Sequence, residues 1–338
     1  MAKKTKRQST TKKLNKEQLL TLYRNLVRIE QWDKCYMRRM KTGRLVGFYH
    51  PGEGALAPGV GACSFLRKDD ILWGHVRTHG QAHMLSKGID LKYYLAEHTG
   101  KATGCCGGRS SYHASFPEDG VFGSSGCIGA NFPPSVGWGL ACKKNGREQV
   151  VMNCFGDGGS NRGTLHEAFL IANNWKLPIV YLCENNGLAI YSKAEDMHPT
   201  DDIADLAKGY GMPALIVDGQ DVIAVAEAAQ TAIAHARSGK GPYFIEAKTT
   251  RFHEHDIGTP DLAGYVPRSE EEIAELRKRE PVAICRERLL SDGVLTQELI
   301  DQFEEEAITE VADGEKFADE SSIAELDLSD INKLVYAD

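Results

Sequence analysis

Residues 150–186 constrain the architecture of this chain more than any other stretch. An apolar run from Val150 to Phe155 leads into Gly156-Asp157-Gly158-Gly159-Ser160-Asn161. A helix-like stretch follows, then a second apolar run from Pro178 to Cys183 that ends in Glu184-Asn185-Asn186. The order predicts a strand, a glycine turn carrying an acid, a helix, and a strand ending in two carboxamides. In open α/β folds the carboxyl edge of a parallel sheet is where ligands sit. Glycines let backbone N–H groups approach phosphate oxygens, and the helix that follows presents its positive end. Magnesium takes a few protein oxygens and fills the rest of its shell with phosphate and water. Asp157 and Asn186 offer such oxygens from neighbouring strand ends, and the Leu188 carbonyl offers a third. The segment therefore suits a magnesium–diphosphate group. Gly-Asp-Gly alone would be an ordinary solvated turn; its place inside one βαβ unit of this length argues otherwise.

The rest of the 338-residue chain fits an α/β protein. Strands are expected at residues 71–73, 150–155, 179–183, 215–217 and 243–247. Helices are expected at 16–41, where Leu19, Leu20, Tyr23, Leu26, Val27 and Ile29 keep a helical beat, and at 164–175 and 222–237. Alternating strands and helices predict a mostly parallel sheet with helices on both faces. Residues 43–61 read as irregular and glycine-rich. Residues 100–139 are too long and glycine-dense for a plain connection, which suggests a functional loop region. From Ser269, which opens a capping box with Glu272, the composition turns acidic and helical, punctuated by Pro281, Gly293 and Gly314. The expected organisation is a basic arm over 1–16, an α/β binding domain over 17–268 and a helical extension over 269–338.

Charge is unevenly placed. The arm holds Lys3, Lys4, Lys6, Arg7, Lys12, Lys13 and Lys16 and no acid, so removing these seven charges from the net −7 leaves −14 for the body. That body gives nucleic-acid binding no support. An arm rich in Lys with almost no apolar residues is a solvated segment rather than a mitochondrial presequence. No apolar stretch reaches the ~20 residues of a membrane span. The nine cysteines are scattered without a C-x-x-C pair, which fits free thiols in a reducing cytoplasm, and adjacent Cys105-Cys106 read as structural.

Gly-Asp-Gly followed about thirty residues later by Asn-Asn resembles the thiamine-diphosphate signature. With Arg77-Thr78-His79-Gly80, Lys101-Ala102-Thr103-Gly104, Gly126-Cys127-Ile128-Gly129, Val217-Asp218-Gly219-Gln220-Asp221, residues 245–249, the His253-Glu254-His255 run and residues 316–321, the chain resembles the α subunits of thiamine-diphosphate-dependent 2-oxo acid dehydrogenases over about 16–338. The resemblance implies that Asp157, Asn186 and the Leu188 carbonyl hold Mg²⁺, that Gly158 and Gly159 donate to the diphosphate, and that Arg77 clamps it. Gly126 and Ile128 resemble the backbone cradle of the aminopyrimidine, with the Ile128 side chain supporting the bent cofactor. His50, His79, His113 and His255 fall where the family gathers active-site imidazoles, His255 for acyl transfer to a lipoyl group and His50 for proton handling near substrate. His83, His98, His166, His198 and His235 are expected to be uninvolved.

The chain also departs from the family. Val76 stands where many members have a tyrosine that contacts phosphate, and Leu188 replaces a common tyrosine. Asp256 follows His255 where animal members carry a phosphorylated serine, so kinase control there is not expected. Ser124-Ser125, Asn131-Phe132 and an unusual Ser110-Ser111-Tyr112 alter loops close to substrate.

The resemblance further implies a shared active site. The glutamate that activates the aminopyrimidine belongs to a β subunit, giving an α2β2 enzyme that works with a lipoyl acyltransferase and a dihydrolipoyl dehydrogenase. The cofactor supplies the carbanion-stabilising chemistry and the protein positions it. Pyruvate is the favoured substrate, acetoin is nearly tied, and branched 2-oxo acids come third. Two other classes compete. A catalytically silent, cofactor-holding subunit conflicts with intact Asp157, Asn186, Arg77 and His255. A nicotinamide oxidoreductase would rest on Gly52-x-Gly54-x-x-Ala57, where Pro58 is expected to interrupt the helix the motif must open.

Overall fold

The computed structural model describes residues 13–258 and 268–325. Most of the basic arm and the last thirteen residues of the expected helical extension lie outside the described residues.

Among the described residues seven strands are formed: β1 (Ile71–Trp73), β2 (Val151–Gly156), β3 (Ile179–Asn185), β4 (Leu188–Ala189), β5 (Ser192–Lys193), β6 (Ala214–Asp218) and β7 (Tyr243–Lys248). Five of them make one sheet in the order β1-β2-β3-β7-β6, with every pairing parallel, while β4 and β5 form a small antiparallel ribbon. The helices are α1 (Lys16–Lys41), α2 (Ala57–Cys63), α3 (Gln81–Lys87), α4 (Leu91–His98), α5 (Phe132–Asn145), α6 (Gly163–Asn174), α7 (Ala194–Met197), α8 (Ala204–Gly209), α9 (Val222–Arg237), α10 (Glu270–Arg277), α11 (Pro281–Ser291) and α12 (Gln297–Glu320).

The central strands are apolar on both faces because both faces are covered. Val180 and Leu182 join one buried cluster, with side chains of α1, α2 and α9. Ile179, Tyr181 and Cys183 join the other, with side chains of α5, α6 and α8. The register pairs Gly156 with Glu184, so β2 and β3 end side by side. That pairing brings Asp157 and Asn186 to one edge.

Helix α1 starts where Asn15 accepts the Gln18 N–H and the Gln18 side chain accepts the Asn15 N–H. It buries Leu22, Leu26, Ile29 and Tyr36 at helical spacing. The C-terminal helices pack back onto this stripe. Arg28 and the Trp32 indole N–H both donate to Glu310, and Arg39 reaches Glu315 and Asp319. The chain beyond α12 then ties down the loop after α4, through Ala102 N–H to the Ser322 carbonyl and Ala324 N–H to the Gly100 carbonyl. In the same loop the buried Glu97 carboxylate accepts the N–H groups of Cys106, Gly108 and Ser110. That places Cys105-Cys106 in a clamped turn.

Several expectations are corrected. Residues 43–61 are not all irregular, because α2 begins at Ala57. Pro58 sits in its first turn, where a missing N–H costs nothing, so it opens the helix instead of interrupting it. The dinucleotide reading fails for another reason: no strand leads into Gly52, and Tyr49 makes only a single bridge to Ile257. The long loop region ends at Phe132, the start of α5. Gly314 does not punctuate the tail. It lies inside α12, where a Cβ would fall 2.5 Å from the Trp32 ring, so glycine is what lets α12 approach α1. No helix among the described residues is long and apolar enough to cross a membrane.

Candidate active site

Asp157 and Asn186 stand at the ends of β2 and β3. Asp157 is buried, and its Oδ2 has no hydrogen-bond partner among the described residues. Burial raises its pKa, while its own N–H, His75 and the Asn186 N–H pull it down. Asn186 is also buried and accepts the Leu188 N–H at 3.1 Å. The β4–β5 ribbon leans on the turn so closely that a Cβ on Gly158 would come within 2.6 Å of the Ala189 Cβ. A buried acceptor without a donor is costly, and here it lies next to a second side-chain oxygen. This donor set suits a hard cation.

A complementary charge lies in the turn that follows β1. Arg77 is 4% exposed and donates to the carbonyls of His255 at 2.7 Å and Pro51 at 3.3 Å, while its Nε finds no partner among the described residues. Burial and neighbouring Arg251 drive its pKa down to about 9. Two guanidinium groups held this close in a buried place suit an anion. The turn that holds Arg77 is strained: Thr78 and His79 have φ of 54° and 51°, and Gly80 follows at 80°. Thr78 N–H meets the His50 carbonyl at 3.0 Å, which couples the turn to the loop that carries His50.

Three of the four singled-out histidines meet. His50 Nδ1 lies 2.8 Å from His79 Nε2, and His50 Nε2 lies 3.3 Å from His255 Nε2. Burial first, then the positive charge of Arg77, holds His255 down to about 4 and His50 lower still; burial also keeps His79 well below its ordinary range. All three are neutral imidazoles at physiological pH. The loops that carry them are pinned by acids. Asp33, buried on α1, accepts the Tyr49 hydroxyl at 2.7 Å and the N–H groups of Gly52 and Glu53 at 2.8 and 3.0 Å. Glu53 pairs with His253 and Arg277, and the His253 bond foremost draws its pKa down to about 2.

His113 is not part of this chain of imidazoles. It is exposed, with Nε2 3.5 Å from the Gly126 N–H. Gly126 lies against the Tyr112 hydroxyl, and the Ile128 side chain reaches over Gly159, 3.6 Å from where its Cβ would be. Residues 126–128 thus border the glycine turn.

Other residues at this edge were not foreseen. His75 lies with Nε2 2.9 Å from the Cβ position of Gly156 and Nδ1 3.4 Å from Glu184. Glu184 is fully buried and meets His83 at 2.6 Å. Burial opposes its charge, but His83 and His75 overcome that and hold its pKa at about 2. His198 packs behind the turn, 3.1 Å from the Ser160 hydroxyl. Glu184 directly precedes the Asn pair, which was the available signal; nothing local marks His75.

The profile of the family described as "Dehydrogenase E1 component" matches residues 24–327. Among similar proteins, the pyruvate dehydrogenase E1 component subunit alpha of Zymomonas mobilis is 33% identical over 91% of this chain and 86% of its own length. The human somatic mitochondrial form of the same subunit is 32% identical over 90% and 76%. The alpha subunit of acetoin:2,6-dichlorophenolindophenol oxidoreductase from Bacillus subtilis is 35% identical over 82% and 83%.

Proposed function

The chain belongs to the dehydrogenase E1 component family, and from that premise we propose how its residues divide the work of a thiamine-diphosphate-dependent α subunit. The enzyme decarboxylates a small 2-oxo acid, pyruvate foremost, and passes the acyl group to a lipoyl carrier. When bound, thiamine diphosphate would supply the electron sink for the pair released with CO2. Asp157, Asn186 and the Leu188 carbonyl hold Mg²⁺ against the diphosphate, Gly158 and Gly159 donate backbone N–H groups to it, and Arg77 neutralises it. Gly126 and Ile128 support the aminopyrimidine end. His50 and His255 serve proton handling at the substrate oxygen and the incoming thiol, His79 fixes the ring of His50, and His113 stands beside the aminopyrimidine cradle. Each neutral imidazole can donate a hydrogen bond from one ring nitrogen and accept a proton at the other.

The observations that carry this reading are a buried Asp157 oxygen without a partner among the described residues, at the end of β2, and a buried Arg77 in the turn that follows the neighbouring strand β1. Each is unfavourable by itself, and a magnesium–diphosphate group satisfies both. The partners that follow are a β subunit completing the site, in an α2β2 assembly, with a lipoyl acyltransferase and a dihydrolipoyl dehydrogenase in the cytoplasm. Acetoin remains the second substrate reading, favoured by the Bacillus relative.

Titration calorimetry of thiamine diphosphate with Mg²⁺ into the assembled αβ protein tests the site. Binding should require Mg²⁺ and vanish in Asp157→Ala. Binding of equal strength in the variant would overturn the assignment.

A further inference from the structure

Tyr112 lies where none of the proposed chemistry needs a tyrosine. Its ring centroid is 4.5 Å from that of His79 and 4.0 Å from that of His113, each at 33°. Phe48 closes a corner with it at 5.3 Å and stands edge-on to His50, also at 5.3 Å. The far end of the ring reaches the aminopyrimidine cradle, where a Cβ on Gly126 would fall 2.6 Å from the hydroxyl. The backbone is held too, since the Tyr112 carbonyl accepts the Tyr94 hydroxyl at 3.2 Å. One half-buried aromatic plate therefore spans from the imidazole cluster to the cradle, and Phe48 meets it at an angle.

We propose that Tyr112 and Phe48 form the wall against which the substrate's carbon chain rests, limiting the enzyme to 2-oxo acids with a methyl side chain. This rests on the functional reading above. The reacting carbonyl must lie within reach of His50 and His255, so its substituent points toward the corner that Phe48 and Tyr112 fill. A methyl group fits the corner between Phe48 and the Tyr112 ring, which His79 and His113 hold in place. An isopropyl or isobutyl group needs the volume the Tyr112 ring occupies, and packed aromatic walls yield poorly to added methylenes. A pocket of this kind discriminates by roughly 10–200-fold per methylene.

The test uses the assembled enzyme with its β subunit, Mg²⁺ and thiamine diphosphate. One measurement is the ratio of kcat/KM for pyruvate over 3-methyl-2-oxobutanoate with a dye acceptor. The other is the Kd of the isobutyryl phosphonate over that of methyl acetylphosphonate, two analogues that bind without losing CO2. Tyr112→Ala should lower both ratios at least 10-fold, chiefly through KM for the branched acid, while Tyr112→Phe keeps them because the ring and not the hydroxyl sets the size. The proposal is overturned if the unaltered enzyme handles both acids alike, or if Tyr112→Ala binds cofactor and leaves both ratios in place. An unaltered enzyme inactive on every 2-oxo acid and on acetoin would overturn the functional reading, and this wall with it.

Discussion

Arg77 carries a cation into a place that disfavours one. It is buried beside Arg251, and among the described residues only carbonyl oxygens accept from it. A charge so placed costs stability until an anion arrives. Arg77→Gln removes the charge yet keeps a donor for one of the carbonyls. The cofactor-free assembly should then melt no lower than the parent, while Kd for thiamine diphosphate weakens about 10–100-fold, the equivalent of one charge-assisted hydrogen bond. Thermal melts with and without cofactor would show it; a large loss in the cofactor-free melt would mean that Arg77 is structural. The placing of Asp157 and Asn186 at neighbouring strand ends was legible in the sequence, because their spacing spans one strand–helix–strand unit; Arg77 was singled out only by the family resemblance. His75 was marked by neither. It matters only because parallel pairing sets the end of β1 beside β2, and Glu184 reaches it from β3. No local pattern encodes that meeting.

Elements show the same division. Strand and helix positions follow from apolar periodicity, and α1 and α9 have the bounds the pattern predicts. The left-handed pair Thr78-His79 has no sequence mark, since neither residue favours positive φ and the surrounding contacts impose it. How elements are fastened is also hidden. Asp70, fully buried just before β1, takes both terminal nitrogens of Arg237 at the end of α9, at 2.7 and 3.0 Å, and the Val150 N–H at 3.0 Å. This single carboxylate fixes the first strand, the last turn of α9 and the entry to β2. Asp70→Ala strands the guanidinium with one carbonyl partner, Glu148. Breaking a buried pair in this way costs about 3–5 kcal/mol. Urea unfolding should register that loss, and a cost under about 1 kcal/mol would show that water reaches the pair and screens it.

For the whole molecule, a cluster of buried neutral imidazoles has a consequence for acid stability. Burial lowers the pKa of His50 and His79 and sets His98 and His255 at about 4, against about 6.5 in the unfolded chain. Below pH 6.5 the unfolded chain takes up protons that the fold refuses. The stability these groups contribute is complete above that pH and is lost as pH falls toward 4. Asp33, Asp157 and Glu280, whose pKa values burial raises, act in the opposite sense, but His113 and His235, whose pKa values burial also lowers, add to the four imidazoles. Glu184 and Glu53, held at about 2, lose their contribution only below the ordinary carboxylate range. His83 pulls from the alkaline side: burial lowers its pKa, but Glu184 raises it by more, so its contribution fades above pH 6.5. The melting temperature of the assembled, cofactor-free protein should therefore fall between pH 7 and pH 5, before the paired carboxylates titrate. His50→Gln removes one of the four imidazoles and should flatten that slope even where it lowers the melting temperature at pH 7. A melting temperature that stays level from pH 7 to pH 5 would mean that these histidines accept protons within the fold.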